Sequence, residues 1–243
     1  MVEENRENGY SRGMVVVAHA DDAEFGCSGT VARLCDEGWE MVYVMCTDGS
    51  KGTSDREISG KELSQIRRRE QRNAGKVLGL NDVVFLDYED SLLQPTLELR
   101  RDIAREIRRH KPDVVITTHP QRSLNGAGWG IGHPDHMAAG EAALSAVFPT
   151  ARDHLTFPEL LEAGLEPHKV AEVWVMGHPE PDHWMDVTDH MDTSIKALMQ
   201  HESQMNGRPE AEITERMRDW RRQRAVGKGM QYAEAFRRFS FNR

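Results

Sequence analysis

Hydrophobic and polar positions follow two regimes along this chain. Short, continuous apolar runs stand at Met14 to Ala18, Met41 to Cys46, residues 82–86 and Pro112 to Thr117. Between them, apolar residues recur at three- and four-residue spacing. The runs read as strands buried on both faces, and the spaced stretches read as amphipathic helices. Helices are predicted over 25–37 (Phe25, Val31, Leu34), 62–78 (Leu63, Ile66, Ala74, Val77, Leu78), 96–109 (Leu97, Leu99, Ile103, Ile107) and 134–147. Gly79 is suited to close the second of these. A Gly/Ser/Asp loop runs to Gly60, and a long loop covers 118–132. This strand–helix alternation predicts an α/β fold with a mostly parallel sheet covered by helices on both faces. Ligands of such sheets bind beyond the carboxyl ends of the strands.

The last third is patterned differently. A possible strand at Ala171 to Met176 precedes a stretch rich in Pro, His, Asp and Trp, from His178 to Asp186. Helices are predicted at about 189–206 and 209–225, and a last segment at Tyr232 to Phe241. No linker-like composition divides the chain, so 1–243 reads as one domain. Its first twelve residues are polar and expected to fray, and 208–243 forms a C-terminal extension.

Charge and cysteine usage narrow the function classes. The net charge of −9 over 243 residues argues against a nucleic-acid or membrane-surface binder, which needs a positive face. The arginine clusters (Arg67 to Arg69, Arg100-Arg101, Arg108-Arg109, Arg221-Arg222) fall within helical patterns and read as solvated faces. Cys27, Cys35 and Cys46 lack C-x-x-C spacing and sit in apolar contexts, as buried free thiols do. With no apolar stretch near eighteen residues and no leader-like start, the expectation is a soluble cytoplasmic protein.

Candidate chemistry is concentrated in two clusters, Ala18-His19-Ala20-Asp21-Asp22 and His133-Pro134-Asp135-His136. Both follow predicted strands of one sheet, one at once and one after a long loop, so they can meet in space. His133 and His136 lie three apart at a helix start, on one face. A lone His-Asp pair is commonly a hydrogen-bonded cap, and Asp135 could simply cap its helix. Two such clusters together suit a zinc site with an open position, flanked by a carboxylate to take a proton from water and an imidazole to stabilise an oxyanion. Adjacent side chains of an extended loop point apart, so Asp21 and Asp22 play different parts. Spacing alone leaves open which of them binds metal. His110, His119, His154, His168, His178, His183 and His190 lack such partners and read as structural or surface residues. Trp129, among Gly126, Gly128, Gly130 and Gly132, is placed either to cover a sugar ring or to pack at the domain edge.

The segments VVVAHADDAEFGCSGT, IRRREQRNAGKVLGL, YEDSLL and HPDH, followed by MDVTDHMDTSIKALMQHESQ, resemble in order and separation the LmbE-like/PIG-L de-N-acetylase family. The likeness covers about residues 13–206, with YAEAFRR as a plausible tail. It implies a Rossmann-like fold and a zinc-dependent hydrolase that removes N-acetyl groups from N-acetylglucosamine-containing substrates. By position, His19, Asp22 and His136 resemble the zinc ligands. Asp21 resembles the general base, His133 the oxyanion-stabilising imidazole, and Asp135 the carboxylate that orients and charges it. Arg67 and Asp90 fall on family positions near the substrate, and His201 on the pocket rim. Three departures stand out: Ala20 where proline is common, Ala23 before Glu24 where Glu often follows the Asp pair directly, and Ser91 where glycine is common. None removes a ligand.

The resemblance also implies a homo-oligomer, hexamer or trimer, with 178–186 a candidate contact. An amidase acting on a larger thiol-sugar conjugate would use the same catalytic set. A non-catalytic zinc protein would leave Asp21 and His133 without a purpose. A nucleotide-binding module is disfavoured, because His-Ala-Asp-Asp stands where G-x-G-x-x-G would be needed and its carboxylates would repel a pyrophosphate.

Overall fold

The computed structural model describes residues 9–122, 131–205 and 207–241. In chain order the strands are β1 (Arg12–Val17), β2 (Glu40–Thr47), β3 (Asp82–Tyr88), β4 (Val114–Thr118), β5 (Glu172–Met176), β6 (His183–Asp186) and β7 (Ala233–Ser240). The helices are α1 (Asp22–Gly26), α2 (Ser28–Asp36), α3 (Gly60–Leu78), α4 (Leu97–His110), α5 (Pro134–Val147), α6 (Pro158–Glu162), α7 (Met191–Leu198) and α8 (Glu210–Ala225). Among the described residues, no helix is long and apolar enough to cross a membrane.

All seven strands form one sheet in the order β3-β2-β1-β4-β5-β7-β6. The first five are parallel, and β7 runs antiparallel between β5 and β6. Side chains alternate across the sheet, so Val15 and Val17 enter one core while Met14, Val16 and Ala18 enter the other. Burial on both faces is why β1 reads as an unbroken apolar run. Connections leave β1 in opposite directions, to β2 and eventually to β4. Their carboxyl ends therefore border the crevice where such sheets bind ligands.

The expected helices form, with local changes. The predicted 25–37 helix is broken at Cys27 (φ −151°) into α1 and α2. α3 starts at a Ser59/Glu62 capping box and ends at Gly79 in the left-handed region, φ 85°. The helix predicted over 189–206 stops at Leu198, and a 3-10 turn at Glu202–Gln204 follows. There the Ser203 amide and hydroxyl both donate to Glu70 of α3, at 2.8 and 2.7 Å. Those bonds, with His201 turned inward, replace the helical continuation. Within the His178–Asp186 stretch, His183–Asp186 supplies the edge strand β6.

Candidate active site

Two close backbone approaches bring the clusters together. The loop after β1 is held to β2, where the Thr47 amide and hydroxyl donate to the Ala18 carbonyl at 2.9 and 2.8 Å. α5 rests on the end of β4, so closely that a Cβ on Gly140 would lie 2.3 Å from the Thr118 carbonyl oxygen. Thr118 Oγ1 donates to the His136 carbonyl at 2.6 Å. Across this junction His19 Nδ1 lies 3.3 Å from His136 Nε2 and 3.5 Å from Asp22 Oδ2, and His136 Nε2 lies 2.9 Å from Asp22 Oδ1. Donors about 2.1 Å from a common tetrahedral centre stand about 3.4 Å from one another, close to these separations, with Asp22 offering Oδ2 to His19 and Oδ1 to His136. The donors of His19, His133 and His136 also lie within 4.8 Å of one another, as do those of His19, Asp90 and Asp135.

The second of those alternative sets uses the other ring nitrogen of His19. Nε2 lies 3.1 Å from Asp135 Oδ2 and 3.2 Å from Asp90 Oδ1. Carboxylates behind a ligating imidazole fix its tautomer and orientation. Both are themselves held. The fully buried Asp135 accepts from the Ser91 and Leu93 amides at 2.7 and 3.3 Å, and Asp90 accepts from the Lys51 amide at 3.0 Å. Burial opposes charge on His19, but Asp22, Asp135 and Asp90 outweigh it and hold its pKa well above the ordinary value. Burial likewise works against ionised Asp22, yet His136 and His19 keep it well below the carboxylate range.

Asp21 stands apart from this set. It sits in the left-handed region (φ 89°, ψ −23°) at the N-cap of α1, and its carboxylate makes no capping bond. Burial, offset by Arg67 and reinforced by Asp22, pushes its pKa up to about 6. Arg67 is itself 4% exposed and donates to the Ala20 and Lys51 carbonyls at 2.8 and 3.2 Å. Its guanidinium lies 3.8 Å from Asp21 and 3.5 Å from Asp90.

One expected role needs correction, and another is shared between two rings. The Asp135 carboxylate faces both imidazoles, with Oδ1 4.0 Å from His133 Nδ1 and Oδ2 3.1 Å from His19 Nε2, and the His133 Nδ1 accepts from the Asp135 backbone amide at 3.2 Å. As a helix N-cap, His133 spends Nδ1 as an acceptor, which leaves Nε2 to carry the proton when the ring is neutral. Burial and the neighbouring His19 and His136 lower its pKa, favouring that neutral form. His201 is not at a pocket rim. It is wholly buried, with Nε2 3.3 Å from Glu24 Oε2. Trp129 lies outside the described residues.

Other residues escaped the sequence reading. Beside Asp22, His133 and His136 opens a cavity of about 110 Å³ that Trp220 and Arg224 of α8 also line. His119 and His178, set aside above as structural, pack their rings 4.6 Å apart and also line it. Gln71 and Glu24 lie beneath the Asp21 loop. In sequence Gln71 is an ordinary polar position of an amphipathic helix, and Glu24 stood out only as a shifted acid after the Asp pair.

The PIG-L family, described as GlcNAc-PI de-N-acetylase, matches residues 14–147, which span both clusters. The chain is 34% identical over 197 residues to the diacetylchitobiose deacetylase of Thermococcus kodakarensis, covering 81% of this chain and 71% of that protein. It is 27% identical to a probable N-acetyl-alpha-D-glucosaminyl L-malate deacetylase 2 of Bacillus cereus, covering 79% of this chain and 82% of that one. The solved structure of N,N'-diacetylchitobiose deacetylase from Pyrococcus horikoshii superposes with a TM-score of 0.88 at 28% identity, covering 98% of this chain and 86% of that chain. The chain belongs to the PIG-L, or LmbE-like, family of deacetylases, hydrolases of amide C–N bonds.

Proposed function

We propose that this protein is a zinc-dependent hydrolase that removes the acetyl group from an N-acetylglucosamine unit of a small saccharide or conjugate. The observation that carries this reading is the convergence of His19, Asp22 and His136 beside a separate carboxylate, Asp21, that makes no capping bond. His19 Nδ1, Asp22 and His136 Nε2 would hold the ion, with Asp135 and Asp90 orienting His19 from behind. Zinc bound there supplies Lewis acidity, which acidifies water and polarises a carbonyl.

The remaining chemistry falls to the chain's own groups. Asp21 takes the proton from the attacking water. Its raised pKa, about 6, brings its basicity closer to neutral pH than that of an ordinary carboxylate. His133, neutral and with Nδ1 engaged by the Asp135 amide, presents Nε2–H to the amide oxygen as that atom gains negative charge. Arg67 fixes the Asp21 loop and tempers the negative charge of Asp21 and Asp90. The cavity bounded by Trp220 and Arg224 offers an aromatic face and a guanidinium to the part of the substrate beyond the reacting amide.

The saccharide reading leans on the relatives named for diacetylchitobiose and for glucosaminyl malate. It is tested by acetate release from zinc-loaded protein across N-acetylglucosamine, diacetylchitobiose, a glucosaminyl-malate and a glucosaminyl-inositol substrate. Release from at least one of these, abolished by chelation and restored by zinc, is expected. Zinc bound stoichiometrically with no acetate from any of them would refute the saccharide assignment and redirect the search to larger amides.

A further inference from the structure

Asp21 occupies a backbone conformation that non-glycine residues rarely adopt, and something must hold it there. The holding contacts act on one peptide unit, the bond between Ala20 and Asp21. Arg67 donates to its carbonyl at 2.8 Å, and Gln71 Oε1 accepts from its N–H at 3.2 Å. Residues 67 and 71 are one turn apart on α3, so a single helix face grips the peptide plane at both ends.

A carboxamide can present either its oxygen or its NH₂, and the two ends have nearly the same shape. Only the oxygen suits the Asp21 N–H. The group that makes this choice is Glu24: its Oε1 accepts from Gln71 Nε2 at 2.9 Å. A carboxylate is acceptor-only, so a flipped Gln71 would face it with its own oxygen while turning NH₂ toward the Asp21 N–H. Both contacts would become repulsive. Glu24 is fully buried, and its second oxygen meets the equally buried His201 at 3.3 Å. His201 is set in turn by the 3-10 turn that Glu70 fastens through Ser203. A buried ion pair is a poor source of stability, because desolvation offsets its attraction. Fixing the amide orientation under Asp21 is what this pair accomplishes.

We infer that Gln71, Glu24 and His201 form a positioning relay that holds the Asp21 carboxylate in register with the reacting water. This rests on the assignment of Asp21 as the proton acceptor proposed above. None of the three touches the reacting atoms; they act through the Asp21 backbone.

The test exchanges donor and acceptor within the relay, in the zinc-loaded full chain on whichever substrate the wild type hydrolyses. Gln71→Glu sets two carboxylates against each other, and Glu24→Gln removes the group that selects the amide orientation. In the double variant Gln71→Glu/Glu24→Gln, residue 24 donates to residue 71, which still accepts from the Asp21 N–H. Each single change is expected to lower kcat about ten- to hundredfold, the scale set by ångström misplacement of a catalytic group. KM and zinc content should stay within about twofold. The double variant should recover to within about threefold of wild-type kcat. Gln71→Met, which keeps the volume and adds no charge, gives the same kcat loss should Gln71→Glu not fold. Its crystal structure should show Asp21 displaced from the left-handed region. Wild-type kcat in the singles, losses that simply multiply in the double, losses that track zinc content, or an unmoved Asp21 in Gln71→Met would each overturn the relay. An Asp21→Asn control separates the two levels: full activity there defeats the base assignment itself, whatever the relay variants do.

Discussion

Gly140 offers a test in which two ordinary rules predict opposite signs. It lies within α5, where alanine is normally about 1 kcal/mol better than glycine. A Cβ there, however, would stand 2.3 Å from the Thr118 carbonyl oxygen, 3.1 Å from its carbonyl carbon and 3.3 Å from Pro120 N. All three are backbone atoms that cannot rotate away. Since non-bonded carbon contacts settle at about 3.5 Å, α5 must retreat from β4 by about 1 Å. Overpacking of this kind costs about 1–3 kcal/mol, which outweighs the helix gain. We expect Gly140→Ala to be about 1–2 kcal/mol less stable by urea unfolding.

The same retreat reaches the site, because His136 lies one turn earlier on the same face and its carbonyl is tied to Thr118 Oγ1. Zinc ligands tolerate about 0.2 Å of displacement, so zinc affinity measured by chelator competition should fall about ten- to hundredfold. Turnover at saturating zinc should also fall by at least tenfold. A Gly140→Ala protein that is more stable than wild type and binds zinc equally well would refute the argument that this glycine seats the helix.

Further outcomes follow from the same geometry. Asp21→Asn should retain stoichiometric zinc while turnover falls about 10²- to 10⁴-fold, whereas Asp22→Asn should lose zinc; elemental analysis beside acetate release separates them, and zinc loss in Asp21→Asn would reverse the assignment. The metal-free protein should lose stability as pH rises above the ordinary imidazole value and through the raised folded-state values. Burial opposes the charge on His19 and His136, but facing carboxylates raise both above the ordinary imidazole value, so the folded state holds protons that the unfolded chain has released. Zinc displaces those protons, so the slope should vanish in the loaded protein, and a flat melting temperature in the metal-free form would contradict this reading. Burial raises the thiols of Cys27 and Cys46 and pushes Cys35 up to about 12. A disulfide reagent at pH 8 should therefore label Cys27 and Cys46 only after unfolding and the half-buried Cys35 slowly, and rapid labelling of Cys27 or Cys46 in the native protein would show that their burial is wrong.

The sheet was legible in the sequence because its strands are buried on both faces: Met14 to Ala18 has to be apolar throughout, and that pattern is hard to mistake. α3 was equally plain, since its start and stop chemistry is local, from Ser59 and Glu62 to Gly79. β6 was not legible. It is a four-residue edge strand reading His-Trp-Met-Asp, with one neighbour and too little length for an alternation to show. The break after Leu198 was hidden for another reason, because the Ser203–Glu70 bonds that end the helix come from a partner far away in sequence.

The site divides along the same line. Spacing placed His19, Asp21 and Asp22 in one loop and His133 and His136 on one helix face, and the sheet brings these groups together as its topology requires. The resemblance paired Asp135 with His133 alone. The carboxylate stands 4.0 Å from that ring, whose N-cap nitrogen turns onto the backbone amide of the first turn. The carboxylate is thereby free to cross to His19, where the Ser91 and Leu93 amides complete its bonding. That arrangement assigns the two imidazoles opposite tasks through their hydrogen bonds. Three carboxylates stand within 3.5 Å of His19, Asp22 on the Nδ1 side and Asp90 and Asp135 on the Nε2 side, while the Asp135 carboxylate lies 4.0 Å from His133 Nδ1. Charge and neutrality are thus set by which neighbour each ring turns toward, a choice made by helix capping and loop closure.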